Sequence, residues 1–299
     1  MSPGRPGHVW VDGRMLPADV PHLSAFDRGF QLGDGVFETL RARAGHPTEL
    51  SEHIARLQRS AEGLAIPLPD GLEATLARGI ADLVAAEALD GPGGDASIRI
   101  TVSRGPIVER GLLPQGVDVA PTIVIQAWPV LPAPAGHLEH GLHLAVSTIR
   151  RDPENPLSAL KTTSRADYVH ARLEARRVGA DDALFLTVDG FLSEATTANV
   201  FLVRGDELAT PALGCAILPG TTRSWILGWA SRVGLQASEG WLSIADLATA
   251  DEAFLSSSVA GILPVTRLAG QAIGAGVPGP WARRARSDRE AFIDGEPGP

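Results

Sequence analysis

The chain has 299 residues, 44% of them hydrophobic, and a formal net charge of −9, which allows one large or two medium cores. No apolar run approaches the roughly 20 residues that cross a bilayer, "MSPGRPGHVWVDG" lacks a charged-then-apolar leader, and no basic run exceeds the Arg pairs at 150–151, 176–177 and 283–284. Membrane insertion, export and non-specific nucleic-acid binding are therefore not expected, and the lone Cys215 fits a reducing, cytoplasmic setting.

In chain order, "HVWVDGRML" reads as short strands about an Asp12-Gly13 turn, and "GVFETLRAR" as a strand. "SEHIARLQRSAEGL" predicts a helix capped by Ser51, with Ile54, Leu57, Ala61 and Leu64 at helical spacing. A second helix covers about 71–88, and "ASIRITVSRG" and "PTIVIQAW" read as strands. Prolines 129, 132 and 134 mark a stiff, extended connector. The expected organisation is thus a small N-terminal domain over 1–128, a connector over 129–137 and a larger domain over 138–299. Beyond the connector come a strand at 141–149, a helix at 164–178 and a hairpin turning at Asp189-Gly190. A strand, a tight turn and a helix from Thr221 to Gly234 follow, then the strand and loop of "EAFLSSSVAGILPVTRL" and a helix at 280–292. Helices set among strands within one unit point to an α+β fold.

Lys161 is the only lysine; all the other basic residues are arginines. Guanidinium stays protonated and is a poor nucleophile, whereas a desolvated amine attacks carbonyls, so position 161 is a candidate covalent catalyst. Glu194, in "DGFLSEATTANVFLV", has apolar neighbours that would draw its carboxylate into the sheet interior. In "LPGTTRSW" a strand turns at Gly220 and starts a helix at Thr221, presenting free N–H groups and two threonine hydroxyls to an anion. Arg56 shares a helical stripe with Ser60 and Glu52; it could pair with phosphate, although a solvated surface arginine is the default. Together the four describe the needs of pyridoxal phosphate: an amine for the aldehyde, a carboxylate for the pyridine nitrogen and donors for the phosphate.

At this point the sequence resembles the fold-type IV, class IV aminotransferases, a family of branched-chain aminotransferases, D-amino acid aminotransferases and 4-amino-4-deoxychorismate lyases. The resemblance runs from "DRGFQLGDGVFETLR" to "SSSVAGILPV" through "EHIARLQRSA", "LKTTSR", "DGFLSEATTANVFLV" and "ILPGTTR". It implies two α+β domains with the cofactor, pyridoxal 5'-phosphate, between them, and a homodimer. By resemblance Lys161 is the Schiff-base lysine and Glu194 the acid at the ring nitrogen, while Arg56, Gly220, Thr221, Thr222 and Ser258 hold the phosphate. Phe37, Arg99, Arg110, Val259 and Ala260 resemble substrate-side residues. Leu32 and Ala166 stand where branched-chain enzymes carry tyrosines, Tyr168 is read as a packing residue, and Glu38 follows Phe37 where lyases have a threonine. Aminotransferase is the leading expectation, the lyase an alternative, and a non-catalytic phospho-ligand-binding or structural homologue a third.

No metal site is expected. His137, His140 and His143 are spaced by three, but 141–149 alternates as a strand and no carboxylate-rich partner motif follows. "GPGGD" at 91–95 is too irregular for a dinucleotide fingerprint, and Ser256–Ser258 lack the glycine-flanked elbow of a serine hydrolase.

Overall fold

The strand Asp-Ala-Ser-Ile-Arg-Ile-Thr-Val-Ser, residues 95–103, alternates strictly, and its period of two decides what each face of the first sheet becomes. The computed structural model describes residues 5–113 and 119–296. Contacts divide the chain into two units, Met1–Leu131 with Leu160–Arg165, and Pro132–Ala159 with Ala166–Pro299.

The first unit contains β1 (His8–Val11), β2 (Arg14–Pro17), α1 (Arg28–Leu32), β3 (Gly35–Arg43), β4 (His46–Pro47), α2 (Leu50–Gly63), α3 (Leu72–Ala86), β5 (Asp95–Ser103) and β6 (Thr122–Pro129). Its strands form an antiparallel sheet in the order β2-β1-β6-β5-β3-β4. One face, with Val36, Leu40, Ile98, Ile100 and Ile125, packs on Ile54 and Leu57 of α2 and on Leu76, Ile80 and Leu83 of α3. Glu38 shares the parity of Val36 and Leu40 and so faces α2, while Phe37 and Thr39 point the other way, opposite Thr101 and Arg99.

Strand β4 pairs only with Ala42 and Arg43, so the edge of β3 upstream of them is open. Residues 161–163 fill it: Phe37 N–H donates to Lys161 O (2.9 Å) and Thr163 N–H to Gly35 O (2.8 Å). This strand addition groups Leu160–Arg165 with the first unit, whereas the sequence reading assigned Lys161 to the second domain. A side chain at Gly35 would meet Val102 O at 2.9 Å and Thr163 Oγ1 at 3.1 Å, so glycine is required there.

The second unit contains α4 (Ala135–Glu139), β7 (Leu142–Arg151), α5 (Ala166–Arg177), β8 (Asp182–Thr187), β9 (Leu192–Ala195), β10 (Asn199–Arg204), β11 (Glu207–Pro211), α6 (Thr221–Val233), β12 (Gln236–Gly240), α7 (Ile244–Ala248), β13 (Glu252–Ser257), β14 (Gly261–Leu268), β15 (Gln271–Ala272) and α8 (Pro280–Ile293). The sheet order is β12-β11-β10-β13-β14-β7-β8-β9, with β15 on β14. Phe201 and Phe254 stack at 5.2 Å beneath Trp229 of α6 and Ala282 and Ala285 of α8. Tyr168 packs edge-on against Phe185 at 5.3 Å, as a core residue.

Two local expectations, the Ser51 cap and the extended connector, are corrected. Helix α2 starts from Glu49 in a left-handed conformation (φ 53°) with no side-chain cap, and Ser51 Oγ instead donates to Glu52. The connector is not wholly extended, because α4 begins one residue after Pro134, a place where a missing N–H costs nothing. His137 and His140 lie in or cap α4 while His143 sits in β7 with its ring accepting from Gly270 N–H, so the three do not share one helix face.

Candidate active site

In the first unit the site grows from the two faces of β3. On the α2 side, Glu38 is fully buried and Arg56 is 4% exposed. Arg56 donates through Nε and Nη2 to the two oxygens of Glu38, both at 2.7 Å, and His53 Nδ1 lies 2.8 Å from Glu38 Oε2. Burial pushes the Glu38 carboxyl up, but hydrogen bonds from Arg56 and His53 and the charges of Arg56 and Lys161 outweigh it and hold it at about 2. Arg56 is therefore an interior residue with a fixed fork, not a solvated one, because β3 supplies the counter-charge that the helix sequence alone does not reveal.

Lys161 is half-buried beside this cluster. Ser60, one turn along α2 from Arg56, accepts from Lys161 N–H through Oγ (3.1 Å). The Lys161 Nζ lies 4.8 Å from the centre of the Phe37 ring, on the opposite face of β3. Two guanidiniums meet the same ring, Arg99 at 3.9 Å and Arg165 at 5.8 Å. Burial and the neighbouring charge of Arg165 lower the pKa of Arg99. Such a convergence of cations suits an anionic group.

Arg165 was missed in the sequence, although it ends the "LKTTSR" block; nothing local said that its side chain would meet Phe37. Arg110 does not join this cluster. It is exposed and forms no hydrogen bond or ion pair among the described residues. Its loop is instead held by Arg28, whose guanidinium donates to Gly111 O (3.0 Å) and Leu112 O (2.6 Å).

In the second unit Glu194 is 5% exposed, and its Oε2 accepts from Leu218 N–H at 2.9 Å. Next to it Ser193 Oγ donates to Ala216 O, and Asn199 Nδ2 donates to Leu218 O, so β9 and β10 hold the segment that leads into α6. Gly220 caps α6 without a side-chain bond, and any Cβ there would collide with Asn199 Oδ1 at 2.2 Å. The N-cap residue thus adds no side chain of its own to the first turn, where the positive end of the helix dipole lies. Thr221 Oγ1 lies 3.3 Å from Ser258 Oγ in the β13–β14 turn, and Thr222 Oγ1 is buried with no hydrogen-bond partner among the described residues. Val259 and Ala260 follow Ser258 in that turn, with Ala260 exposed. An uncapped helix start lined by hydroxyls is a receptor for a phosphate.

A family model described as "Amino-transferase class IV" matches residues 35–268. A putative branched-chain-amino-acid aminotransferase of Methanocaldococcus jannaschii is 34% identical over 89% of this chain and 89% of its own length. An aminodeoxychorismate lyase of Bacillus subtilis is 32% identical over 87% of this chain and 86% of its own. Among solved structures, the Escherichia coli branched-chain amino acid aminotransferase superposes with a TM-score of 0.90 at 29% identity, covering 98% of this chain and 96% of that one. A hypothetical aminotransferase from Mycobacterium tuberculosis, solved in a PLP-bound form, superposes at 0.82 and 27% identity over 96% and 98%.

Proposed function

The chain belongs to the class IV aminotransferase family, and on that premise we propose that it is a pyridoxal 5'-phosphate enzyme that moves an amino group between an amino acid and a 2-oxo acid. The observation that carries this reading is the uncapped start of α6, where a buried Thr222 hydroxyl lacks a partner and waits for an acceptor of phosphate type. When bound, the cofactor supplies an electron sink that weakens the bonds at the substrate Cα.

The chain's own residues then divide the work. Lys161 Nζ provides the covalent attachment and afterwards holds and returns the Cα proton. Glu194, fixed by Leu218 N–H, offers a carboxylate to the pyridine nitrogen. Arg56, oriented by Glu38, and the hydroxyls of Thr221, Thr222 and Ser258 receive the phosphate, with Gly220 leaving the helix end open. Arg99 and Arg165 beside Phe37 take a substrate carboxylate, and the backbone of Val259 and Ala260 borders the substrate.

A second copy of the chain completes the assembly in this proposal. The first unit leaves Phe30 (77% exposed), Leu112 (80%) and Leu113 (80%) in water, in or beside a loop fastened to α1 through Arg28. Light scattering should give the mass of a dimer. Among the described residues no helix is long and apolar enough to cross a membrane; the cytoplasmic location expected from the lone cysteine is part of the same proposal.

Purified protein should be yellow and should bleach when a suitable amino donor is added alone; donors that leave the spectrum untouched would rule out transamination. The similarity to the B. subtilis lyase favours a second reading, formation of 4-aminobenzoate and pyruvate from aminodeoxychorismate. Release of pyruvate without a keto-acid acceptor would select it. The third reading, a non-catalytic homologue, requires Lys161→Ala to be silent. Loss of turnover and of the borohydride-trapped adduct in that variant excludes it.

A further inference from the structure

The hydroxyl of Ser258 sits in the short turn that follows the last β13–β14 pair, Ser257 with Gly261. We propose that Arg286 on α8 is a positioning residue for it, setting where Ser258 meets Thr221. This inference rests on the phosphate-binding reading of that turn.

Helix α8 grips the hairpin at both ends. At the open end Glu252, the first residue of β13, accepts from the N–H groups of Trp281 (3.1 Å) and Ala282 (3.0 Å), a carboxylate at the positive end of the helix. Gly279 caps α8 there, and a Cβ at that position would overlap the Glu252 carboxylate at 1.9 Å. Between the ends, Ala282 and Ala285 are buried against Phe254 and Ile262. At the tip Arg286 Nη1 donates to Ala260 O (3.2 Å) and to Ile262 O (2.9 Å). These carbonyls flank Gly261, which is left-handed (φ 68°) and so close to α8 that an added Cβ would stand 3.5 Å from Glu290 Oε1 and 3.7 Å from Arg286 Nη1.

One guanidinium nitrogen thus spans the point where the chain reverses, at Gly261, three residues after Ser258. Charge-assisted bonds are short and directional, so they fix the turn more firmly than water on the same carbonyls could. Arg286 itself is half-buried and stays outside the Thr221–Ser258 contact. Its effect on the phosphate end is carried by the backbone of 258–262.

The test compares pyridoxal phosphate affinity, measured by equilibrium dialysis against the apoprotein, with the unfolding temperature of each apoprotein. Arg286→Met should weaken affinity about tenfold, the size of one lost hydrogen bond to a charged donor. Its unfolding temperature should shift by no more than a few degrees. Arg286→Lys, which keeps a cationic donor, should recover affinity to within about threefold of wild type, and the Met substitution should add nothing in a Ser258→Ala background. If Arg286→Met fails to fold, Arg286→Gln, too short to reach both carbonyls, carries the same expectation. Affinity unchanged in the Arg286 variants while Ser258→Ala weakens binding would overturn the positioning role and leave the functional reading standing. Affinity unchanged in Ser258→Ala as well would instead remove the premise, because the turn would then not touch the cofactor.

Discussion

If the proposed function holds, the two units prepare for an anion in opposite ways. In the first, charge is already present and already neutralised: Glu38 is fully buried, forked by Arg56 and touched by His53. In the second, the only charged side chain in the first turn of α6, Arg223, is already paired with Glu239 (2.9 Å), and the helix start offers instead the Thr221–Ser258 hydroxyl contact and the orphan hydroxyl of Thr222. Burying ions is costly unless each has a partner, so the charged cluster must be complete before any ligand arrives. Neutral donors can be left incomplete at a cost of only about 1–3 kcal/mol each. One cluster is thus built for rigidity, and the other keeps bonding capacity in reserve.

Removing one member of each should expose the difference. Glu38→Gln leaves the fork of Arg56 facing an amide that matches only one of its two donors. Breaking a buried pair in this way costs about 3–5 kcal/mol, to be read from urea unfolding of the apoprotein. Ser258→Ala, at a half-buried hydroxyl, should cost about 1 kcal/mol or less. Equal losses in the two variants would erase the contrast.

Acid sharpens the same comparison. The carboxyl of Glu38 is held at about 2 against an ordinary value of 4.5, so the unfolded chain binds the proton first as pH falls. The stability that Glu38 contributes is complete above pH 4.5 and is lost as the pH drops from there towards 2. Asp34, lowered by Arg104 and Arg28 against its burial, acts in the same direction. Glu38→Gln should therefore unfold with a flatter acid profile than wild type across this window, whereas Thr222→Val should keep the wild-type slope.

The contrast also explains what the sequence could and could not disclose. The start of α6 in the second unit is local: "ILPGTT" places the turn, the glycine and two hydroxyls within six residues, and α6 starts and ends where the sequence put it, at Thr221 and Gly234. The first unit's site is built across sequence distance. Arg56 reads as a solvent-facing helix residue until β3 brings Glu38 against it, and Glu38 looked like a mismatch in a pocket strand when in fact it faces the helix behind that strand. Lys161 was found by its chemical uniqueness, but its place on the open edge of β3 depended on a pairing 124 residues away, between Phe37 and Lys161, that no local pattern records. Arg165 escaped for the same reason: its meeting with Arg99 at Phe37 is made by that edge pairing.

That meeting gives a smaller expected effect. Arg165→Gln leaves Arg99 in place and removes one of the two guanidiniums near the ring, so KM for the amino donor should rise by about three- to tenfold with kcat little changed, the pattern of lost ground-state binding. A fall in kcat at constant KM would assign Arg165 to the reacting atoms instead.

The smallest effect discriminates most finely, because it changes sign. Thr222→Val replaces a buried hydroxyl that has no partner among the described residues with a methyl of similar shape. In the apoprotein this removes an unsatisfied polar group, and unfolding free energy should rise by about 1 kcal/mol. With cofactor present the same change deletes a donor to the phosphate, and affinity should fall about tenfold. No substitution in the Glu38–Arg56 cluster can behave this way, since every polar atom lost there leaves a charge behind. A Thr222→Val apoprotein that is less stable than wild type would show the hydroxyl to be satisfied before any ligand binds, and the second unit would then be as fully prepared as the first.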